Sequence, residues 1–129
     1  MVDLRASISE IPDFPTPGIL FRDLLPLLAD PEAHAAVVDR LVAFAAPLAP
    51  DVVIAAEARG FLFGTTLAHA LGCAFAPARK PGKLPSDAWT QAYALEYGEN
   101  SLQLARTAVA PGMRVLVHDD LLATGGTAA

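Results

Sequence analysis

The chain has 129 residues, 53% hydrophobic and 18% charged, with a mean hydropathy of +0.41, which fits one domain and excludes a disordered segment. It has no uninterrupted apolar run of the roughly 18 residues that a transmembrane helix needs, and MVDLRASISE at its start lacks the apolar core of a secretory signal. The net charge of −5 excludes the broad basic face of a general nucleic-acid binder, and Cys73, the single cysteine, excludes an internal disulfide or a CxxC metal site.

The prolines within Ile11-Pro-Asp-Phe-Pro-Thr-Pro-Gly18 bias each preceding residue away from the α region, so an ordered, extended N-terminal arm is expected. Asp30 before Pro31 reads as an N-cap with proline in the first helical position. Apolar residues at 33, 37, 41, 44 and 45 then predict an amphipathic helix over 31–46. Residues 51–56 form a short apolar run that reads as a buried strand. A helix over 60–71 closing at Gly72 follows, then a second buried strand over 73–78. Residues 79–90 are expected to be loop. Tyr93, Leu95 and Tyr97, then Leu102 and Leu104, alternate with their neighbours and predict a β-hairpin. After a turn at Pro111-Gly112, residues 114–118 read as a third buried strand. Helices alternating with short apolar strands predict an α/β domain with a largely parallel sheet, whose ligands bind at the carboxyl ends of the strands.

The most informative stretch is Val115-Leu-Val-His-Asp-Asp-Leu-Leu-Ala-Thr-Gly-Gly-Thr127. A strand here delivers Asp119 and Asp120 to its carboxyl end, where both can reach sugar hydroxyls, directly or through a metal. Ala123, Thr124, Gly125, Gly126 and Thr127 follow. Glycines let successive N–H groups converge and threonines add hydroxyl donors, which makes a nest for a phosphate. Arg79, Lys80 and Lys83 place three of the nine cations within five residues of an acidic chain, and such a patch suits a polyanionic substrate.

The Asp119–Thr127 segment resembles the phosphoribosyl pyrophosphate (PRPP) signature of type I phosphoribosyltransferases. Phe14-Pro-Thr-Pro-Gly-Ile-Leu-Phe-Arg-Asp23, Glu57-Ala-Arg-Gly-Phe-Leu-Phe-Gly64, Arg79-Lys-Pro-Gly-Lys-Leu-Pro85 and Leu95-Glu-Tyr-Gly98 occur in the order of the adenine phosphoribosyltransferase family. The likeness covers nearly the whole chain from Ile11. It implies a single domain over 1–129 with a type I phosphoribosyltransferase-like, largely parallel sheet flanked by helices, a β-hairpin lid region, and a C-terminal helix and strand missing after Ala129. Their loss would leave an unpaired sheet edge and exposed apolar surface.

The resemblance implies transfer of the 5-phosphoribosyl group of PRPP to adenine, giving AMP and pyrophosphate with Mg²⁺. Arg59 falls in the family's pyrophosphate loop, where Glu57-Ala58 marks the place of a cis peptide, and a guanidinium grips phosphate oxygens as a fork. Arg79, Lys80 and Lys83 fall in its mobile lid. Asp119 and Asp120 take the ribose hydroxyls and the metal, directly or through water, while 123–127 anchor the 5′-phosphate. Glu96, beside Tyr97, is the candidate for handling the purine proton. From alternation alone it is equally a solvent-facing strand residue. Phe21 can stack on the purine with Arg22 alongside, or serve as a core residue. His34, His69 and His118 lack metal-ligand spacing, and His118 departs from the family's apolar residue before the two aspartates. The single cysteine makes a reducing, cytoplasmic compartment the natural reading, charge and hydropathy argue against nucleic-acid and membrane partners, and the resemblance implies a homodimer. Hypoxanthine, guanine or xanthine as substrate, a non-catalytic PRPP-binding regulator, and an inactive fragment are the other readings.

Overall fold

The structure, a computed structural model, describes residues 1–85, 87–95, 98–122 and 125–129. Met1–Ala43 and Phe44–Ala129 form two compact units.

In the first unit, strands β1 (Ser9–Ile11) and β2 (Phe21–Asp23) pair antiparallel, with Ile11 opposite Phe21 and Ser9 opposite Asp23. The proline-rich stretch between them is thus a loop closing a hairpin rather than an extended arm. Two contacts close it: Gly18 donates its N–H to Asp13 Oδ1 (2.8 Å), and Phe14 donates to the Ile19 carbonyl (3.1 Å). Proline cannot donate, so these few available N–H groups set the geometry. Asp23 Oδ1 then accepts the Leu25 N–H (2.9 Å) and starts a five-residue helix, α1 (Leu25–Ala29), too short to leave a periodic signal in sequence. Helix α2 spans Pro31–Ala45 and crosses the boundary between the units. Its start is as predicted, with Asp30 Oδ1 accepting from Glu32 (2.9 Å) and Ala33 (3.4 Å).

The second unit is built on β3 (Val52–Ala56), which pairs in parallel with β4 (Ala74–Ala78) on one side and β7 (Val115–His118) on the other. The sheet order is β4-β3-β7. Val52, Val53 and Ala55 are fully buried, as a central strand covered on both faces requires. The third apolar run differs from expectation: β7 sits at the sheet edge, and Val117 is 54% exposed. Apolar content marks a strand, but only its neighbours decide whether it is buried. Helix α3 (Gly60–Leu71) stops at Gly72, whose φ of +67° lets its N–H reach back to the His69 carbonyl. Its close approach to the sheet depends on Gly64, where a Cβ would lie 2.8 Å from the Ala55 Cβ and 3.1 Å from Phe75 Cε2.

Strands β5 (Ala88–Leu95) and β6 (Gly98–Ala105) form the predicted antiparallel hairpin. It begins before the expected loop ends, because Trp89 and Thr90 pair with Leu104 and Gln103. Trp89 also lies beneath the Arg106 guanidinium, 5.2 Å from its ring centroid, so an aromatic strand start is held by a cation across the hairpin.

Gly64→Ala is expected to destabilise the second unit by about 1–3 kcal/mol, because the added methyl meets a buried neighbour that has no room to retreat. Urea unfolding followed by circular dichroism checks this, and an unchanged midpoint contradicts it.

Candidate functional site

Parallel pairing aligns the carboxyl ends of three strands on one edge of the sheet. Ala56 sits opposite Ala78, and Ala55 opposite His118, so the residues that follow, Glu57, Arg79 and Asp119, emerge together. A cavity of about 350 Å³ opens there, lined by Arg59, Lys80, Asp119, Asp120 and the Gly125–Thr127 turn, with Tyr93 and Asn100 of the hairpin opposite.

Asp120 forms the floor. Its side chain is only 6% exposed, and Arg59 Nε lies 3.2 Å from its Oδ2 while remaining half exposed itself. Burial, and then the adjoining Asp119, push the Asp120 carboxyl above the ordinary carboxylate range, against the pull of Arg59. Asp119 Oδ1 accepts the Asp120 N–H (2.9 Å) and stands by the first residue of α3, where a Cβ on Gly60 would come within 3.1 Å of it. Glycine at the helix start therefore lets a carboxylate approach the positive end of the helix dipole. Burial drives the pKa of the His118 ring, immediately before, down despite both aspartates, and its Nε2 is buried with no hydrogen-bond partner among the described residues.

Glu57 behaves in the opposite way. Its Oε1 accepts the Lys80 N–H (2.6 Å) and lies 3.2 Å from Arg79 Nε. The Lys80 N–H holds the carboxyl below its usual range against the upward push of burial, and Arg79 adds to the lowering. The Glu57–Ala58 peptide bond is cis, as the resemblance implied. On the third wall, Gly125 (φ +82°) accepts at its carbonyl from the Ala128 and Ala129 N–H groups (3.1 and 3.0 Å), opening a helical turn beside the cavity. The site thus sets two phosphate-suited cations and a glycine turn around two carboxylates.

A cyanobacterial relative, the adenine phosphoribosyltransferase of a Synechococcus strain, is 52% identical over 127 residues, spanning 98% of this chain and 74% of its own. The chain belongs to the adenine phosphoribosyltransferase family. No family profile matches it. The crystal structure of the Thermoanaerobacter pseudethanolicus adenine phosphoribosyltransferase superposes with a TM-score of 0.94 at 48% identity, over 98% of this chain and 73% of that one. The Saccharomyces cerevisiae enzyme, complexed with adenine and an iminoaltritol bisphosphate, gives a TM-score of 0.93 at 38% identity, over 98% and 74%. The type I phosphoribosyltransferase architecture expected from sequence is thereby shown.

Of the residues singled out in sequence, Arg59, Lys80, Asp119, Asp120, Gly125, Gly126 and Thr127 come together on one cavity. Arg79 is paired with Glu57 instead of lining it, and Lys83 is exposed on the same loop. Phe21 and Arg22 lie on β2 in the first unit, Phe21 edge-on to Phe14 (5.1 Å between centroids) and Arg22 3.6 Å from Glu10. Glu96, Tyr97, Ala123 and Thr124 lie outside the described residues. Glu57, Tyr93 and Asn100 line the cavity without having been singled out. The strand register was the available signal for the last two, since Tyr93 sits directly opposite Asn100 in the hairpin.

Asp120→Asn is expected to stabilise the protein at neutral pH. A raised folded-state pKa means that ionising Asp120 costs folding energy; the cost is complete above that pKa and absent below the unfolded value of about 3.9. In metal-free buffer the variant's melting temperature should exceed that of the parent at pH 7.5, and the gap should shrink as pH falls toward about 4. A gap that widens on acidification contradicts the assignment.

Proposed function

We infer that the protein is a purine-salvage enzyme that transfers the 5-phosphoribosyl group of PRPP to adenine, giving AMP and pyrophosphate. The observation that carries this reading is the single cavity in which Arg59 and Lys80 face Asp119 and Asp120 beside the Gly125–Thr127 turn. It offers cations suited to a diphosphate, carboxylates suited to ribose hydroxyls and a glycine turn suited to a terminal phosphate. The adenine bound to the yeast relative supports adenine as the acceptor base.

In the reaction, a purine ring nitrogen forms a bond to the anomeric carbon while the bond to the pyrophosphate oxygen breaks and its electron pair leaves with pyrophosphate. The ring N–H proton is released to a base, the role that the family resemblance gives Glu96. Positive charge develops on the ribose. In this reading Asp119 and Asp120 hold its hydroxyls and favour that charge, while Arg59 and Lys80 offset the charge on the leaving group. Gly125–Thr127 with Ala123 and Thr124 hold the 5′-phosphate. Phe21, Arg22 and Tyr97 are assigned to the base, and Arg79 and Lys83 to the lid.

Asp119 and Asp120 offer only oxygen donors on a shared cavity, which suits a hard cation. They are the residues to hold Mg²⁺, directly or through water or the ribose hydroxyls. When bound, magnesium supplies charge neutralisation at the diphosphate. Among the described residues no helix is long and apolar enough to cross a membrane. The single cysteine supports a cytoplasmic setting and the family resemblance a homodimer, and both belong to the proposal.

Incubating the purified chain with PRPP, Mg²⁺ and each of adenine, guanine, hypoxanthine and xanthine should yield nucleotide from adenine alone, read by chromatography. Arg59→Ala should lower adenine turnover by about 100-fold or more, and EDTA should abolish it. Turnover of another base, or Arg59→Ala at parent rates, contradicts the reading.

A further inference from the structure

The sequence Lys80-Pro-Gly-Lys83 is built to turn. Proline presets φ at the second position and Gly82 takes φ +80° at the third, while the Lys83 N–H donates to the Lys80 carbonyl at 3.3 Å, as in a type II turn. Such a turn leaves the Gly82 N–H pointing outward. Gln103 of β6 takes it: its Oε1 accepts that N–H at 3.3 Å, and its Nε2 donates to Thr90 Oγ1 of β5 at 3.0 Å. The Gln103 backbone meanwhile exchanges both hydrogen bonds with Arg79 (2.8 and 2.6 Å), extending the hairpin onto the end of β4.

The cationic loop is therefore held at two points. Glu57 grips its start through Arg79 and the Lys80 N–H, and Gln103 grips its tip through Gly82. Lys80, which lines the cavity, stands between the two. A turn carrying two lysines repels itself and gains nothing by staying near a third cation, so its position has to be imposed by neutral or acidic partners. Glu57 supplies the charge. Gln103 supplies a neutral acceptor for the turn and a donor for the hairpin at once, and the half-buried amide is not itself among the residues that line the Arg59–Asp120 cavity.

We propose that Gln103 is a positioning residue for diphosphate binding: through Gly82 and Thr90 it fixes the 79–83 loop to the hairpin and so sets where Lys80 meets the pyrophosphate of PRPP. The proposal rests on the transferase reading above. It assigns Gln103 no contact with substrate. Its effect should therefore fall on the PRPP side of the reaction and spare the base.

Gln103→Ala removes both side-chain bonds while leaving the backbone bridge to Arg79. It should raise KM for PRPP and Kd for pyrophosphate by about 5-fold, with KM for adenine within about twofold of the parent. Gln103→Glu keeps an acceptor for Gly82 and can accept the Thr90 hydroxyl proton, so it should restore most of the loss. Thr90→Val, which frees only the hairpin end, should give a smaller rise in the same constants and serves if Gln103→Ala fails to fold. Steady-state kinetics with each substrate varied, and calorimetry with inorganic pyrophosphate and Mg²⁺, measure these. Parent-like PRPP and pyrophosphate constants in Gln103→Ala and Thr90→Val overturn the proposal, as does an equal loss in Gln103→Glu. So does a matching rise in the adenine KM, which marks a merely structural role. Parent protein that binds pyrophosphate yet makes no AMP overturns the transferase reading alone, and the pyrophosphate constants still decide the role of Gln103. Parent protein that neither binds pyrophosphate nor makes AMP overturns both.

Discussion

The central strand β3 organises everything that follows. Because β4 and β7 both run parallel to it, the loops after all three strands leave from the same edge of the sheet, and every charged group of the cavity floor is delivered by one of them. That arrangement depends on a strand without polar side chains, Val52-Val-Ile-Ala-Ala56, and on a helix close enough to cover it. Gly64 permits the approach, and Gly60 gives Asp119 its place at the start of α3. Packing and chemistry therefore share the same elements.

Two of the three carboxylates lining the cavity at this edge are tuned in opposite directions by identifiable causes. Glu57 receives a backbone N–H and a guanidinium and is stabilised as an anion. Asp120 is buried next to another carboxylate and pays for its charge, with Arg59 as partial compensation. The stabilised anion is committed to holding the 79–83 loop. Under the proposed function, the destabilised one would gain from a cation or a positively charged ribose.

Much of this was legible in the sequence where local chemistry decides the outcome. The Asp30-Pro31 helix start, the Gly72 stop and the strand leading into Asp119-Asp120 each follow from residues within a turn of one another. The hairpin of the first unit was not legible, because its closure depends on which N–H groups remain among prolines and on Asp13 reaching Gly18. The exposure of β7 is a property of its neighbours, so an apolar run alone could not reveal it. Among site residues, Arg59, Asp119 and Asp120 carry a local motif. Asn100 enters the cavity, and Gln103 reaches the loop beside it, through long-range register, and in one dimension both look like ordinary polar strand residues. Arg79 shows the converse: its charge was visible, but not that Glu57 would occupy it.

The central claim is that the carboxyl edge of the β4-β3-β7 sheet is where the diphosphate sugar binds. The most direct test is to titrate the ¹⁵N-labelled protein with inorganic pyrophosphate and Mg²⁺ and follow backbone amide shifts. The account predicts saturable shifts concentrated at Arg59, Gly60, Lys80 and Gly125–Thr127. Shifts confined to residues away from this edge, or none at millimolar pyrophosphate, would contradict it.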